Sequence, residues 1–313
     1  MNTLLFPGQG SQTVGMGKEF YDNFDLVKKI FKSADEKLGF SISKIILEGT
    51  SDKLQLTQNT QPAILTVSYS IFQIMKDEFN FNFNSFKYFS GHSLGEYSAL
   101  VCSKALSFED AIFLLHERGK AMQKAVPVGE GAMLAVLGLK TEEVKNFINK
   151  KKDSTQVCEI ANDNAAGQVI ISGNKKCVDE VREIFKEEKI KTIPLNVSAP
   201  FHCSLMKKAS EEMSEKINNT IFKKPLFDII NNVEAKVETD PNKIKKLLIN
   251  QIFSTVRWRE SIILMEKNGI KNFIEIGPGK ALIGMVKRTI KGVNSFSINS
   301  IADIKNLQNE IKK

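Results

Sequence analysis

The stretch "FSGHSLGEYSAL", residues 89–100, constrains the fold of this chain more than any other. An extended apolar run, "KYFSG", turns within a few residues into a helical pattern, "SLGEYSALVCSKAL", and Gly91 and Gly95 bracket the reversal. So tight a turn needs small residues on both flanks, and glycine supplies them. Gly-x-Ser-x-Gly in that setting reads as a nucleophile elbow, with Ser93 projecting from a strand end at the start of a helix. Unpaired backbone N–H groups and the positive end of the helix dipole there favour a developing anion. The N–H of Leu94, next after the serine, is the natural first oxyanion donor. The alternative is a serine that merely caps a helix.

Strand and helix patterns alternate from the N-terminus, which predicts an α/β architecture with a mostly parallel sheet. "TLLF" (Thr3 to Phe6) reads as a short buried strand. "QPAILTVSYSIFQIMKDEF" reads as a helix with Pro62 at its start and Ile64, Val67, Ile71, Ile74 and Met75 at helical spacing. "SFEDAIFLLHERGKAMQKA" is a second helix, with Ser107 as N-cap and Asp110 three residues on. Then the rhythm changes. "GAMLAVLGL" is a strand, "TEEVKNFINKKK" a helix capped by Thr141, "QVCEIANDN" and "GQVIISG" two strands joined by a short turn, "CVDEVREIFKEEK" a helix and "IKTIPLN" a strand. That β-α-β-β-α-β order is ferredoxin-like. Beyond it "PLFDIINNV" and "NFIEIG" are strands and "KALIGMVKRTIKG" a helix. The expected organisation is a large α/β-hydrolase-like domain, residues 1–128 and 197–313, with an inserted ferredoxin-like subdomain at 129–196.

Composition narrows the function. With 313 residues, 42% of them hydrophobic, the chain can bury a full core. No apolar run approaches a membrane span, and the N-terminus carries no leader pattern, so a cytoplasmic location is expected, with a mature organellar form as the alternative. Cys102, Cys158, Cys177 and Cys203 form no Cys-x-x-Cys pair, and with three histidines no zinc pattern emerges. The net charge of +8 is nearly all lysine, spread over helices such as "NKKKD" from Asn149 and "NKIKKLL" from Asn242. Few aromatics interleave with it, which fits solvated faces rather than a nucleic-acid stripe. Such a surface still suits an acidic protein partner.

A reactive serine needs a base. His92 adjoins Ser93 and points away from it in a tight elbow; His116 falls beside Glu117 and Lys120 on the polar side of its helix. His202, in "NVSAPFHCSLM", lies where an extended segment ends and a helix begins, and is the base by elimination, with a structural histidine as the alternative. The third group is missing. A hydrolase of this class runs Ser, Asp or Glu, then His, yet Asp163 in "ANDN" is the only acid in a suitable loop, and it reads as a turn residue. A backbone carbonyl could orient the imidazole instead. Arg118 falls with Ala111, Leu114, Leu115 and Met122 on the apolar face of its helix. A buried guanidinium needs a partner, and spacing alone favours an internal Asp or Glu over a substrate carboxylate. "FPGQGSQTVGMG" and "EIGPGKA" both fail the nucleotide-binding glycine patterns. The Gly8-Gln9-Gly10 turn is a source for a second oxyanion donor.

Together "FPGQGSQTVGMG", "GHSLGEYSAL", "HERGKAMQ", "NQIFSTVRW" and "EIGPGKAL" resemble the malonyl-CoA:acyl carrier protein transacylases of bacterial-type fatty acid synthesis, from about Thr3 to about Ser297. The resemblance implies Ser93 as nucleophile and His202 as its base, oriented by the backbone carbonyl of Gln251. It implies an oxyanion hole from the N–H groups of Gln9 and Leu94. It makes Arg118 the clamp for the malonyl carboxylate, reversing the reading from spacing, and places Asn162 in the cleft. The Phe201–His202 pair goes with malonyl over methylmalonyl units in related polyketide modules. The resemblance further implies no cofactor, malonyl-CoA as substrate, an acidic acyl carrier protein as partner, and a monomer. A serine hydrolase or thioesterase, and a non-catalytic module that docks carrier proteins, are the competing expectations.

Overall fold

The computed structural model describes residues 1–150, 155–197 and 199–311. The end of "TEEVKNFINKKK" and part of "NKKKD" lie outside them. Among the described residues ten strands run in chain order: β1 (Asn2–Phe6), β2 (Phe86–Gly91), β3 (Gly131–Leu137), β4 (Cys158–Ala165), β5 (Gln168–Asn174), β6 (Thr192–Pro194), β7 (Asp228–Ile230), β8 (Val237–Glu238), β9 (Asn272–Ile276) and β10 (Asn294–Ile298). Six make one sheet in the order β10-β9-β1-β2-β7-β8. All neighbours in it are parallel except β7 and β8. Strand β1 is buried at every position, as a strand covered on both faces of a parallel sheet must be, which is why "TLLF" has no polar alternation. The other four strands form an antiparallel sheet, β4-β5-β3-β6. The four cysteines are buried and form no disulfide among the described residues.

The sheet aims the loops that matter. Phe6 ends β1 in register with Gly91 at the end of β2, and the His92 N–H donates to the Phe6 carbonyl at 3.0 Å. The turn after β1 and the elbow after β2 therefore leave the same sheet edge side by side. A Cβ on Gly8 would lie 2.7 Å from the His92 carbonyl oxygen.

Three local expectations are corrected. The helix expected to start at Pro62 spans Thr57–Asp77, with the proline inside it. Proline has no N–H to offer the carbonyl four residues back, that of Gln58. His116 Nδ1 takes that carbonyl at 2.9 Å, so His116 is half-buried and repairs the break rather than standing on a polar face. Thr141 is the first residue of its helix, not its cap; Glu143 accepts the Lys140 N–H at 2.7 Å instead. Ser107 does cap its helix, Phe108–Lys124, accepting the Asp110 N–H at 3.0 Å.

"EIGPGKA" also finds its explanation. Glu275, at the end of β9, accepts the N–H of Ile283 at 2.9 Å in the first turn of the helix Ala281–Thr289. A protein carboxylate sits where a phosphate loop would hold an anion. Burial raises the Glu275 pKa to about 7 against the opposing pull of the Ile283 and Leu282 N–H groups. The folded state thus holds this proton more tightly than the unfolded chain. Its stabilisation is full below about pH 4.5 and is lost as pH rises through about 7, a swing of about 3 kcal/mol. Glu96, buried just after the elbow and raised to about 7 by the same cause, adds a slope of the same sign. Glu275→Gln should therefore roughly halve the fall in stability between pH 5 and pH 8, as read from urea midpoints; an unchanged fall would contradict it.

Candidate active site

Ser93 sits at φ 53°, a left-handed conformation rarely adopted by residues other than glycine. The surrounding backbone enforces it. A Cβ on Gly91 would fall 1.9 Å from the Gly95 carbonyl carbon, and one on Gly95 would fall 2.2 Å from the Phe6 oxygen. Strand, turn and helix meet so closely that only glycine fits. Asn232, just past β7, fastens the turn: its Oδ1 accepts the Ser93 N–H at 2.7 Å and its Nδ2 donates to the Gly91 carbonyl at 2.8 Å.

The serine hydroxyl meets His202 Nε2 at 2.8 Å, and His202 Nδ1 meets the Gln251 carbonyl at 2.9 Å. A carbonyl only accepts, so Nδ1 carries the proton and Nε2 faces the serine as an acceptor. Among the described residues no carboxylate holds the imidazole; the end of the helix Pro241–Gln251 does so with its backbone. Burial, reinforced by the nearby Arg118 cation and opposed by the Gln251 carbonyl, lowers the His202 pKa to about 3. The ring is neutral throughout the physiological range.

Arg118 is 1% exposed, and its setting differs from the one its spacing suggested. Nη1 donates to Gln61 Oε1 at 2.7 Å, and Nη2 donates to Gln251 Oε1 at 2.9 Å and to Ser93 Oγ at 3.1 Å. No Asp or Glu forms an ion pair with it among the described residues; its partners are two amides and a hydroxyl. Two neutral amides orient the fork and leave its charge uncancelled at contact distance. The guanidinium carbon stands 5.9 Å from the Tyr97 ring centre.

A cavity of about 680 Å³ opens onto these groups, lined by Gln9, Ser93, Arg118, Asn162, Phe201 and His202 among others. Asn162 reaches it from β4. The backbone N–H groups of Gln9 and Leu94 donate to no protein acceptor among the described residues. His92 turns away as expected, its Nε2 on Asn164 Oδ1 at 2.8 Å and its ring edge-on to Trp258. Asp163 is not a turn residue: it is buried in β4 and paired with Arg259 at 2.8 Å. Four contributions escaped the sequence reading, namely Gln61, Glu96, Asn232 and the side chain of Gln251. Glu96 alone left a signal there, as the single charge in an otherwise apolar or small-residue helix, Gly95–Cys102.

Serine, imidazole and a carbonyl in series, on a parallel α/β frame with an unpaired guanidinium beside the hydroxyl, describe chemistry on acyl groups that carry a negative charge. A model of the acyl transferase domain matches residues 3–311, and the chain belongs to that family. The malonyl CoA-acyl carrier protein transacylase of Bacillus subtilis (strain 168) is 43% identical over 297 residues, covering 95% of this chain and 92% of that protein. An acyl-carrier-protein-S-malonyltransferase from Bartonella henselae superimposes with a TM-score of 0.96 at 37% identity, covering 100% of this chain and 99% of that one. A malonyl-transacylase solved in complex with its type II PKS acyl carrier protein gives 0.94 at 35% identity, over 98% and 99%. The protein is an acyltransferase.

Proposed function

We propose that the protein moves the malonyl group of malonyl-CoA to the phosphopantetheine thiol of an acyl carrier protein, through an ester on Ser93. The observation that carries this reading is the buried Arg118 fork, without a carboxylate partner among the described residues, 3.1 Å from the Ser93 hydroxyl in one cavity. An acyl group ending in a carboxylate supplies the missing anion in two parallel hydrogen bonds. The curated relatives bear the same activity in their names.

In the first half-reaction the Ser93 proton passes to His202 Nε2 as Oγ attacks the thioester carbon. The resulting oxyanion lies against the N–H groups of Gln9 and Leu94; losing one such donor costs on the order of 10²–10³ in rate. Collapse breaks the C–S bond, and the CoA thiolate takes the proton from His202. In the second half-reaction the carrier thiol gives its proton to Nε2 and attacks the ester, and Ser93 recovers its proton as it leaves. Asn162 and Phe201 line the acyl end of the cleft, where the bulk of Phe201 favours malonyl over branched units.

Residues 129–196 serve as a small subdomain that closes the cleft over the large domain, 1–128 and 197–313; the two separate sheets support that division. A monomer is the proposed state, and no described helix is long and apolar enough to cross a membrane. The basic surface suits an acidic carrier in the cytoplasm. Brief exposure to malonyl-CoA should add one malonyl mass at Ser93, and added carrier protein should remove it as malonyl-carrier. Free malonate without malonyl-carrier would indicate a hydrolase, and no added mass a docking module.

A further inference from the structure

Behind the reacting groups lies a carboxylate with no part in the steps above. Glu96 is 2% exposed. Its Oε2 accepts the Gln251 Nε2 amide at 2.7 Å and the Asn232 backbone N–H at 3.0 Å. The Gln251 amide is thereby fixed in one orientation: Nε2 toward Glu96 and toward the Ser93 carbonyl at 3.1 Å, Oε1 toward Arg118 Nη2 at 2.9 Å. Turned over, the amide would set N–H groups against the guanidinium. A carboxylate accepts but cannot donate, so Glu96 permits one orientation and forbids the other.

We propose that Glu96 is a positioning residue for the acyl clamp: as a buried carboxylate it locks the Gln251 amide and balances the Arg118 charge at one remove, so that the fork stands ready for the carboxylate of the incoming acyl group. The inference rests on the reading of Arg118 as that clamp. Both groups hydrogen-bonded to Glu96 Oε2 are donors, which the ionised form accepts without donating in return. Arg118, from the helix Phe108–Lys124, and Tyr97, on its own helix, are the charged and titratable groups that act on it; His202 is reached only through the Gln251 backbone. Burial raises its pKa to about 7, with the Asn232 N–H, Gln251 and Arg118 opposing in that order. A raised pKa means that the charge, and with it the exclusion of the turned-over amide, is present above about pH 7 and lost as pH falls below, where the neutral acid still accepts at Oε2 but can also donate.

The test compares malonyl-CoA and acetyl-CoA loading onto Ser93 in the full chain, as kcat/KM between pH 6 and 8. The acetyl substrate lacks the carboxylate but shares Ser93, His202 and the oxyanion hole, so the malonyl-to-acetyl ratio isolates the clamp. In wild type that ratio should rise with pH through about 7. Glu96→Gln can keep both accepted hydrogen bonds and loses only the charge. It should lower the ratio about tenfold at pH 8, the scale of replacing a charge-assisted hydrogen bond by a neutral one, and flatten its pH dependence. A ratio unchanged by Glu96→Gln, or still rising with pH in that variant, overturns the proposal. Should the variant not fold, a wild-type ratio flat from pH 6 to 8 overturns it as well. Arg118→Ala separates the two readings: if it lowers the ratio and Glu96→Gln does not, only the role of Glu96 falls. If neither lowers it, the clamp itself falls.

Discussion

His202→Asn should form the malonyl–Ser93 ester on the order of 10³–10⁴-fold more slowly than the native chain, with the fold retained. Asparagine is the chosen replacement because residue 202 sits at φ 58°, a conformation that asparagine tolerates better than alanine. What it removes is the acceptor 2.8 Å from the serine oxygen. Without that acceptor, Ser93 must attack as a hydroxyl whose proton has nowhere to go, since the other close neighbour, Arg118 Nη2, is itself a donor. The oxyanion donors and the acyl clamp remain, so a residue of catalysis above the water rate should survive. Time-resolved mass spectrometry of the loaded chain reads the effect directly. A fall of less than about tenfold would mean that the imidazole is structural. Because burial and Arg118 together hold the ring neutral down to about pH 3, protonation of this base should not limit loading anywhere near neutrality.

The sequence carried the outline of this site because its strongest constraints are local. Gly91 is required by its contact with the Gly95 backbone and Gly95 by its contact with the Phe6 backbone, and such constraints leave a short, fixed motif. The same holds for the β-α-β-β-α-β order, whose turns and periodicities lie within neighbouring residues; the antiparallel order β4-β5-β3-β6 follows from it. What stayed hidden depends on pairs far apart in the chain. Gln61 and Gln251 reach Arg118 from different helices, and a glutamine in a helix gives no sign of which way it faces. The partner of Arg118 was misread from spacing for that reason: periodicity reports burial, not the chemistry of the opposite wall. Pro62 misled because the donor that rescues the helix, His116, comes from another element. Asp163 misled because its partner, Arg259, lies 96 positions away. Asn232 leaves the neighbouring strand at the same sheet edge as Ser93, and only the strand order, with β7 beside β2, brings it there.

Arg118→Ala should lower malonyl loading on the order of 10²–10³-fold while acetyl loading changes by less than about tenfold. Desolvation sets the size of the effect. A carboxylate entering this cavity leaves water, and its solvation must be replaced by fixed donors. In the native chain two guanidinium nitrogens, aimed by Gln61 and Gln251, stand ready to do so. In the variant the malonyl carboxylate faces the two amides, whose oxygens repel it, and the Tyr97 ring. The acetyl group carries no charge and loses nothing at that end. Arg118→Lys tests geometry apart from charge: an ammonium restores the positive charge without the planar fork, so malonyl loading should fall between native and alanine levels. Some loss of stability should accompany Arg118→Ala, because Gln61 Oε1 and Gln251 Oε1 lose their buried donor and Glu96 its balancing charge. Equal losses for the malonyl and acetyl substrates, measured in chains of matched thermal stability, would show that Arg118 supports the nucleophile through its 3.1 Å contact with Ser93 Oγ and not the acyl group.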